Sequence, residues 1–256
     1  SVTEFARFCR RNGLRSIWYR IPEASASLYR SMGKSLLPLG QEAMVNLTNF
    51  TLEGKEKKAL RNVLNKMERE GYKFVVHEAP LDSRLLQQLR AVSDEWLRML
   101  HRSELNFSQG VFDETELKNQ TLLTLENVEG KILAFINLIP GGSAEEANFD
   151  LMRRTEDAPH GTMDYLFTHM FLYLKEKGYT ACNLGLVPMS GLEHPTNLSE
   201  NLLKLAYERI PRFSNYKSLR FFKEKFDPVW ETKYVAYDNQ LDLMNLPSAL
   251  GRVVRV

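Results

Sequence analysis

Apolar residues in the first half of the chain recur at intervals of three and four, and they also form shorter stretches that alternate with polar residues. The segment from 54 to 70 has the clearest helical stripe, which predicts an amphipathic helix ended by Gly71. Residues 72–78 alternate between apolar and polar and predict a strand. Asp82 is predicted to cap a long helix that reaches about Leu100. Further predicted elements are helices over 4–11 and 25–32 and strands over 14–21 and 44–47.

The second half of the chain has a more regular pattern of strands. Residues 121–127 and 131–139 flank a short turn that contains a glycine, which predicts a β-hairpin. A later helix is predicted to be capped by Thr162 or Asp164 and ended by Gly178. The remaining predicted elements are strands over 147–152, 179–186 and 233–237 and a helix over 198–209. This order predicts an α/β chain with a mixed sheet, and it resembles the core of GCN5-related N-acetyltransferases.

Composition narrows the class of protein. A chain of 256 residues with 43% hydrophobic and 26% charged residues is typical of one large or two small globular domains. The net charge of +2 gives no support for a general nucleic-acid coat, so any such surface must be local. Cys9 and Cys182 lie in apolar patterns and are predicted to be buried thiols, which favours the cytoplasm. No stretch approaches the ~20 apolar residues that span a bilayer, and no signal peptide is visible.

Asp150 and Arg153 stand out at the end of a predicted strand that runs into a polar loop. In a regular strand, positions three apart face opposite sides of the sheet. Both side chains can therefore line one site only if the strand ends or bulges between them. On the residues alone, a surface ion pair is the favoured interpretation.

The loop from 154 to 164 lies where an acetyltransferase binds the pyrophosphate of its coenzyme. Such a loop needs closely spaced glycines, because backbone N–H groups must approach the phosphates at a helix N-terminus. Gly161 is the single glycine here, and Glu156 and Asp157 would repel an anion. The sequence therefore argues against acetyl-coenzyme A as a donor, and a plain helix entry remains the alternative.

Two further segments could contact a substrate. In residues 183–191, Gly185 permits close backbone approach and Ser190 could donate to a carbonyl or phosphate, although a plain strand-to-loop connection is the alternative. Between 216 and 230, cationic and aromatic residues are interleaved. That composition suits phosphate contact with stacking, a lipid interface, or simply a solvated basic face.

Histidines provide little further chemistry. His77 and Glu78 end a predicted strand and are the remaining acid–base candidates, although a lone histidine is more often structural. The other four histidines show no metal-ligand spacing, and no zinc signature is present. We therefore expect no metal site.

Four ordered segments carry a family resemblance. They are residues 149–154 (FDLMRR), 159–166 (PHGTMDYL), 183–191 (NLGLVPMSG) and 221–226 (FFKEKF) continuing to 230–234 (WETKY). Together they resemble the soluble catalytic domain of the bacterial aminoacyl-phosphatidylglycerol synthases, the multiple peptide resistance factors, over residues 3–238. The resemblance implies tandem N-acetyltransferase-like subdomains. The first, over 1–115, would be truncated, and the second, over 116–256, would carry most of the site.

The resemblance also implies roles for particular residues. Asp150, Arg153 and Lys225 match active-site or functionally important positions of the family. His77 and Glu78 fall in a region that contributes active-site residues, which makes them further catalytic candidates. The implied substrate-binding residues are Gly185, Ser190, Glu231 and Tyr234. No cofactor is implied, because one ester is exchanged for another.

The implied activity moves an aminoacyl group, lysyl in our expectation with alanyl open, from aminoacyl-tRNA to a glycerol hydroxyl of phosphatidylglycerol. This would lower the negative charge of the membrane and give resistance to cationic antimicrobial peptides. The chain starts at Ser1 within a helical pattern, so we expect a piece of a longer protein whose membrane-embedded N-terminal part is absent, at the cytoplasmic face of the membrane. The cationic face of the 54–70 helix is predicted to meet anionic lipid or the tRNA acceptor arm, with a simple solvated face as the alternative. The alternatives are a Fem-type aminoacyl-tRNA-dependent peptidyltransferase and a non-catalytic lipid- or tRNA-binding module.

Overall fold

The computed structural model describes residues 1–101, 103–104, 110–139, 144–190 and 216–243. These residues form two units. The first consists of Ser1–Met44 with the described part of 184–253, and the second is Val45–Asn183. Their bounds differ from those of the predicted subdomains, 1–115 and 116–256, which stay a prediction because spatial grouping does not report ancestry. The predicted helix over 198–209 lies outside the described residues.

Helices and strands alternate along most of the chain. In chain order they are α1 (Val2–Arg11), β1 (Trp18–Pro22), α2 (Ala26–Ser31), β2 (Ser35–Asn46), α3 (Lys58–Arg69), β3 (Lys73–His77), α4 (Ser83–Met99), α5 (Glu114–Leu117), β4 (Thr121–Glu126), β5 (Ile132–Ile139), β6 (Glu146–Arg154), α6 (Thr162–Glu176), β7 (Ala181–Pro188), α7 (Tyr216–Glu224) and β8 (Val229–Tyr237). The strands form an open mixed sheet, which confirms the predicted α/β class. None of the helices in the described part of the chain is both long and apolar enough to cross a bilayer.

The second unit contains the strand order β7-β6-β5-β4-β3. Neighbouring strands are antiparallel except β6 and β7, which run parallel and pair only at 146–148 with 181–183. Helix α4 packs on β5 and β6 and shares an apolar cluster with Phe135 and Leu151. Helix α6 covers the opposite face, where Phe167 packs against Phe149. Both faces of the sheet are therefore covered by helices.

The N-termini of α4 and α6 show whether the two predicted N-cap residues are correct. The carboxylate of Asp82 accepts a hydrogen bond of 2.7 Å from the N–H of Leu85, which confirms the predicted cap of α4. The cap predicted for α6 is wrong, because Gly161 occupies that position with φ of 95°. Thr162 already lies in the first turn, and its hydroxyl donates to the carbonyl of Pro159 instead. The left-handed backbone needed to enter α6 is what glycine allows at low cost.

A β-bulge interrupts the pairing of β5 with β6. Ile136 pairs with Met152 and Leu138 pairs with Phe149, so β6 takes three steps where β5 takes two. The buried side chain of Asn137 fills the irregularity: its Oδ1 accepts from the N–H of Leu151, and its Nδ2 donates to Gln120 at 2.8 Å. Asp150 and Arg153 could face the same side of the sheet only if the strand ended or bulged between them, and this bulge meets that requirement.

The first unit contains the strand order β1-β8-β2-β7. Strand β8 is antiparallel to both β1 and β2. Strand β2 is much longer than the predicted 44–47. Its earlier part was missed because Pro38 and Gly40 interrupt the alternation of apolar and polar residues, and the pairing with β8 shifts register between them. A Cβ on Gly40 would lie 2.3 Å from the carbonyl oxygen of Val187, so glycine is required where β2 approaches β7.

Both cysteines are buried and free, as predicted. Cys9 lies on the inner side of α1 in the first unit, and Cys182 lies in β7 within the second unit. Their burial contributes apolar packing rather than reactivity.

Candidate active site

The two units each hold a cluster of polar side chains, and each cluster is built by its own strands and helices. In the second unit, we use the name Arg153 cluster for Asp150, Arg153, Glu104, Ser93 and Gly110. Arg153 is 5% exposed, and its two terminal nitrogens donate to the two carboxylate oxygens of Glu104 at 2.8 and 2.7 Å. One of these nitrogens also donates to the hydroxyl of Ser93 in α4. A bidentate pair of this kind fixes the guanidinium plane.

Asp150 lies beside this pair because of the bulge in β6. Its Oδ1 accepts a hydrogen bond of 2.6 Å from the backbone N–H of Gly110. A Cβ on residue 110 would lie 1.7 Å from Oδ2, so only glycine fits against the carboxylate. The structure therefore brings Asp150 and Arg153 together on the face of the sheet that α4 covers.

The two carboxylates of the cluster have opposite pKa shifts. Burial raises the pKa of Asp150 above its usual value, against the N–H of Gly110 and the charge of Arg153, and Glu104 raises it further. Burial also acts to raise the pKa of Glu104, but its hydrogen bonds and charge interaction with Arg153 outweigh burial, so the pKa of Glu104 is lowered. Glu104 thus stays ionised as the partner of Arg153, while Asp150 has the greater affinity for a proton.

Glu104 was not found from the sequence. It lies between α4 and α5 in a segment without an apolar period, and its neighbour Phe112 donates to it through the backbone at 3.3 Å. A single sequence carries no signal that a glutamate 49 residues before Arg153 is its partner.

In the first unit, Lys223 is one of three described lysines that are buried, with Lys34 and Lys233. Its Nζ donates to the carbonyl oxygens of Gly185 at 2.8 Å and Leu186 at 3.4 Å. Gly185 has φ of 80°, a left-handed conformation that turns this stretch of β7. Burial lowers the pKa of Lys223 to about 7, although the charge of Glu42 acts in the other direction, and Arg20 lowers it further. A lysine with this pKa can give up or take a proton near neutral pH.

Sequence reasoning selected Lys225 from this segment and passed over Lys223. Lys225 is half-buried, with its Nζ 5.3 Å from the centroid of the Phe222 ring. Lys223 and Phe226 are both buried three positions apart on α7 and the turn that follows it. The position of Lys223 three residues before the aromatic Phe226, on the same side of a helix, was the signal in the sequence that could have predicted its burial.

Ser190 takes part in a second polar group of the first unit. It is 2% exposed, and its hydroxyl donates to Gln41 at 3.0 Å and accepts from Arg220. Arg220 also donates to Gln41 at 2.9 Å and lies 4.3 Å from the centroid of the Trp230 ring. The arginine is thus fixed by a cation–π contact and by two polar side chains.

Glu231 and Tyr234 lie on β8 in the same unit. Glu231 is paired with Lys233 at 3.1 Å and borders a depression of about 420 Å³ between β8 and residues 22–24. The Tyr234 hydroxyl donates to Glu23. This hydrogen bond is the largest cause that raises the pKa of the phenol, and burial raises it further. Neither residue contacts Lys223 through a bond that the structure records.

The structure does not bring His77 and Glu78 to the Arg153 cluster. The Nε2 of His77 lies 3.0 Å from the hydroxyl of Thr124 and 3.2 Å from Glu126, both on β4. Glu78 forms an exposed ion pair with Lys177 at 3.2 Å. His77 sits on β3, three strands away from β6 in the sheet order.

The cationic face predicted for the 54–70 helix is smaller than expected. The helix begins at Lys58, and Lys57 before it is 5% exposed. Arg61 donates to the carbonyl of Gly54 at 2.7 Å and to that of Leu52, which holds the preceding loop. Arg61 is held by backbone carbonyls and Lys57 is buried, so both cations are poorly placed for a ligand.

Comparison with known proteins gives a consistent result. The family model described as phosphatidylglycerol lysyltransferase, C-terminal, matches residues 1–237. The phosphatidylglycerol lysyltransferase of Bacillus subtilis (strain 168) is 38% identical over 238 residues, which are 92% of this chain and 28% of that protein. The enzyme of the same name from Staphylococcus epidermidis is 33% identical over 98% of this chain and 30% of its own length. The chain thus spans less than a third of these curated relatives.

Solved structures show the same relationship. L-PGS from Bacillus licheniformis superposes with a TM-score of 0.85 at 36% identity, covering 98% of this chain and 78% of that one. FemX superposes with a TM-score of 0.59 over 96% of this chain and 77% of that one, but at 8% identity this likeness shows the fold alone. With the family model covering nearly the whole chain, the protein belongs to the family of phosphatidylglycerol lysyltransferase C-terminal domains.

Proposed function

We propose that the chain transfers an aminoacyl group, lysyl by preference, from aminoacyl-tRNA to a glycerol hydroxyl of phosphatidylglycerol. Membership of the lysyltransferase family supports lipid aminoacylation. The observation that carries the proposal further is Asp150, a half-buried carboxylate with raised pKa beside an arginine that is already neutralised. Such a carboxylate suits proton transfer, because its charge is not fully compensated by a partner.

The proposed reaction exchanges one ester for another. The glycerol oxygen forms a bond to the aminoacyl carbonyl carbon, and the bond from that carbon to the terminal ribose oxygen of tRNA breaks. The glycerol proton passes to a base, and the ribose oxygen leaves with a proton as an alcohol. The step needs a base, a donor for the developing oxyanion, and substrates held in line.

In this proposal Asp150 accepts the glycerol proton or binds the ammonium of the amino acid. The N–H of Gly110 would hold one oxygen of Asp150, and the charge of Arg153 would act on the carboxylate from beside it. Lys223 joins Lys225 as a candidate for contact with the oxyanion or a phosphate. With a pKa of about 7, its ammonium could also donate a proton to the leaving oxygen near neutral pH. His77 and Glu78 stay secondary candidates.

The proposal places the chain at the cytoplasmic face of the bacterial membrane, next to a membrane-embedded part of the same protein. Charged tRNA is in that compartment, and the relatives are more than three times as long as the matched region. A lysyl group carries two amino groups and would reverse the charge of the lipid headgroup. That change weakens the attraction of cationic antimicrobial peptides, which supports a role in resistance.

The test offers the purified chain a panel of tRNAs charged with labelled amino acids, together with phosphatidylglycerol vesicles. We expect labelled lipid with lysyl-tRNA, and a rate at least tenfold lower for Asp150→Asn. Asp157→Asn is a matched control, since Asp157 forms an exposed pair with Lys131. No labelled lipid with any tRNA, or equal rates for Asp150→Asn and wild type, would contradict the proposal.

The same assay separates the alternatives. A parallel reaction with a peptidoglycan precursor would yield a labelled peptide if the chain were a Fem-type transferase. Binding of tRNA or vesicles without any labelled product would instead identify a non-catalytic binding module.

A further inference from the structure

Helix α1 and the turn after it expose three large apolar side chains. Phe5, Phe8 and Leu14 are 53%, 56% and 55% exposed. On the inner side of the helix, Ala6 and Cys9 are buried, and Val2 packs on the cluster around Ile21 and Tyr29. The helix is therefore anchored by one face and presents a second apolar strip that the described residues leave uncovered. We call Phe5, Phe8, Leu14 and the arginines between and beside them the α1 patch.

Arginines lie on one side of this apolar strip: Arg11 is about 60° and Arg7 about 100° around the helix from Phe8, and Arg10 lies farther round. Residues 1–15 contain four arginines and one glutamate. Arg7, Arg10 and Arg11 are exposed and form no ion pair with any residue that the structure describes, whereas Arg15 pairs with Asp242 at 3.1 Å. Unpaired cations beside exposed apolar groups are typical of helices that lie in a membrane interface.

The ring contacts hold the strip in one arrangement. Phe5 stacks on Phe8 with a centroid distance of 6.4 Å, and it meets Trp18 edge to face at 5.4 Å. Two rings that stack on each other present fewer open faces for a nucleotide base, which needs an aromatic face to stack on. The arrangement thus favours an apolar layer over RNA as the occupant of the α1 patch.

We propose that the α1 patch docks on the surface of an anionic lipid bilayer. Phe5, Phe8 and Leu14 enter the boundary between headgroups and acyl chains, and Arg11 and Arg7, which project nearest to Phe8, contact lipid phosphates. Charge complementarity selects the anionic bilayer, because three unpaired arginines would gain little at a neutral surface. This surface goes beyond the proposed transfer, since its binding is measured without any tRNA.

The experiment measures co-sedimentation of the chain with vesicles of phosphatidylglycerol and phosphatidylcholine, and with vesicles of phosphatidylcholine alone. One variant removes the cations (Arg7→Gln, Arg10→Gln and Arg11→Gln), and a second removes apolar groups (Phe8→Ser and Leu14→Ser). The matched controls on the second unit are Lys73→Gln with Arg84→Gln and Lys118→Gln, and Val128→Ser with Leu172→Ser. Circular dichroism and thermal unfolding verify that all variants are folded.

We expect the wild type to bind the anionic vesicles and not the neutral ones. The cation variant should bind on the order of tenfold to a hundredfold more weakly, and the apolar variant on the order of tenfold more weakly. The controls should remain within about twofold, and added salt should weaken wild-type binding.

Several results would overturn the proposal. Absence of binding to anionic vesicles would do so, and so would an equal loss in the controls, because the latter would mean a general charge effect. Loss of tRNA binding with unchanged vesicle binding in the cation variant would assign the patch to RNA. A dimer in size-exclusion chromatography that the apolar variant abolishes, with vesicle binding intact, would assign it to a second copy of the chain.

Discussion

Arg153 and Glu104 show how a buried charge is accommodated at the scale of single residues. The guanidinium is 5% exposed, and both of its terminal nitrogens are bonded to the carboxylate. Desolvation of such a pair offsets much of its attraction, so the pair contributes little net stability while the loss of one partner is destabilising. Beyond stability, the charge of Arg153 acts to lower the pKa of the neighbouring Asp150, against the larger effect of burial.

Replacement of Arg153 should therefore reduce stability more than replacement of a surface cation. We expect Arg153→Ala to lower the free energy of unfolding by about 2 kcal/mol, below the ~3–5 kcal/mol of a fully buried pair because Glu104 is partly exposed. Lys131→Ala, which removes an exposed pair with Asp157, should lower it by less than about 1 kcal/mol. Urea titration measures both values, and similar losses in the two variants would contradict the structural role of Arg153.

The burial of Lys223 should make stability depend on pH. Its pKa is about 7 in the folded protein, whereas a lysine in an unfolded chain titrates near ~10.4. Between these values the unfolded chain holds one more proton than the folded chain, so stability rises as pH rises. We expect the free energy of unfolding of wild type minus that of Lys223→Met to increase from about pH 7 to about pH 10.

Urea titrations at several pH values in this range test the expectation for Lys223. A constant offset is expected as well, since the carbonyl oxygens of Gly185 and Leu186 lose their donor. Lys225→Met serves as the control for the removal of a lysine from the same segment. A flat difference for Lys223→Met would refute the lowered pKa.

Single residues were predicted from the sequence with mixed success, for physical reasons. Asp150 and Arg153 could be recognised because charged residues at the end of a predicted strand are unusual, and the bulge places both on one face. Lys223 looked like any lysine of a basic helix, because its burial depends on contact with β7, which is distant in sequence. Lys57 also looked solvated in the pattern of the helix, although it is 5% exposed.

At the scale of elements, the bulge in β6 depends on one amide side chain. Asn137 bonds the N–H of Leu151, which the irregular pairing would otherwise leave unmatched, and it also bonds Gln120. We expect Asn137→Ala to lower the free energy of unfolding by about 2 kcal/mol, since buried polar groups lose their partner. It should also slow the proposed lipid aminoacylation, because the orientation of Asp150 follows from the bulge.

A matched variant is Asn119→Ala, whose amide bonds the carbonyl of Thr115 on the exposed surface. That change should cost less than about 0.5 kcal/mol. Structures or amide chemical shifts that leave residues 149–153 unchanged in Asn137→Ala would contradict the role assigned to Asn137.

Elements with a clean period were predicted well, whereas interrupted ones were not. The β4–β5 hairpin and the helices α3, α4 and α6 follow the alternation and the helical stripe closely. Most of β2 was missed because Pro38, Gly40 and the buried charge of Glu42 break its apolar pattern. Its pairing with β8 decides its conformation, and that partner lies almost two hundred residues downstream.

At the scale of the whole molecule, the two cysteines report on separate units. Cys182 is fully buried in β7, and burial raises the pKa of its thiol, whereas Cys9 is 5% exposed on a helix with one solvated face. Exchange by local opening is faster near such helices than in central strands. We expect Cys9 to react with a thiol reagent faster than Cys182 under native conditions.

Thiol labelling of Cys9→Ala and Cys182→Ala measures each thiol alone. Both should react at one common rate in denaturant, which controls for reagent access. Faster labelling of Cys182 than of Cys9 in the folded protein would contradict the expected order of opening.

The division into units also has a consequence for synthesis on the ribosome. The described part of the second unit is one continuous stretch, Val45–Asn183, and its ends are adjacent, since the N–H of Leu47 donates to the carbonyl of Thr180 at 2.8 Å. The first unit needs β8, which ends at Tyr237, and β8 lies between β1 and β2. At roughly 5–20 residues per second, the nascent chain carries β1 and β2 without their shared partner for several seconds after the second unit is complete. The first unit is therefore the part of the nascent polypeptide that depends most on chaperone protection.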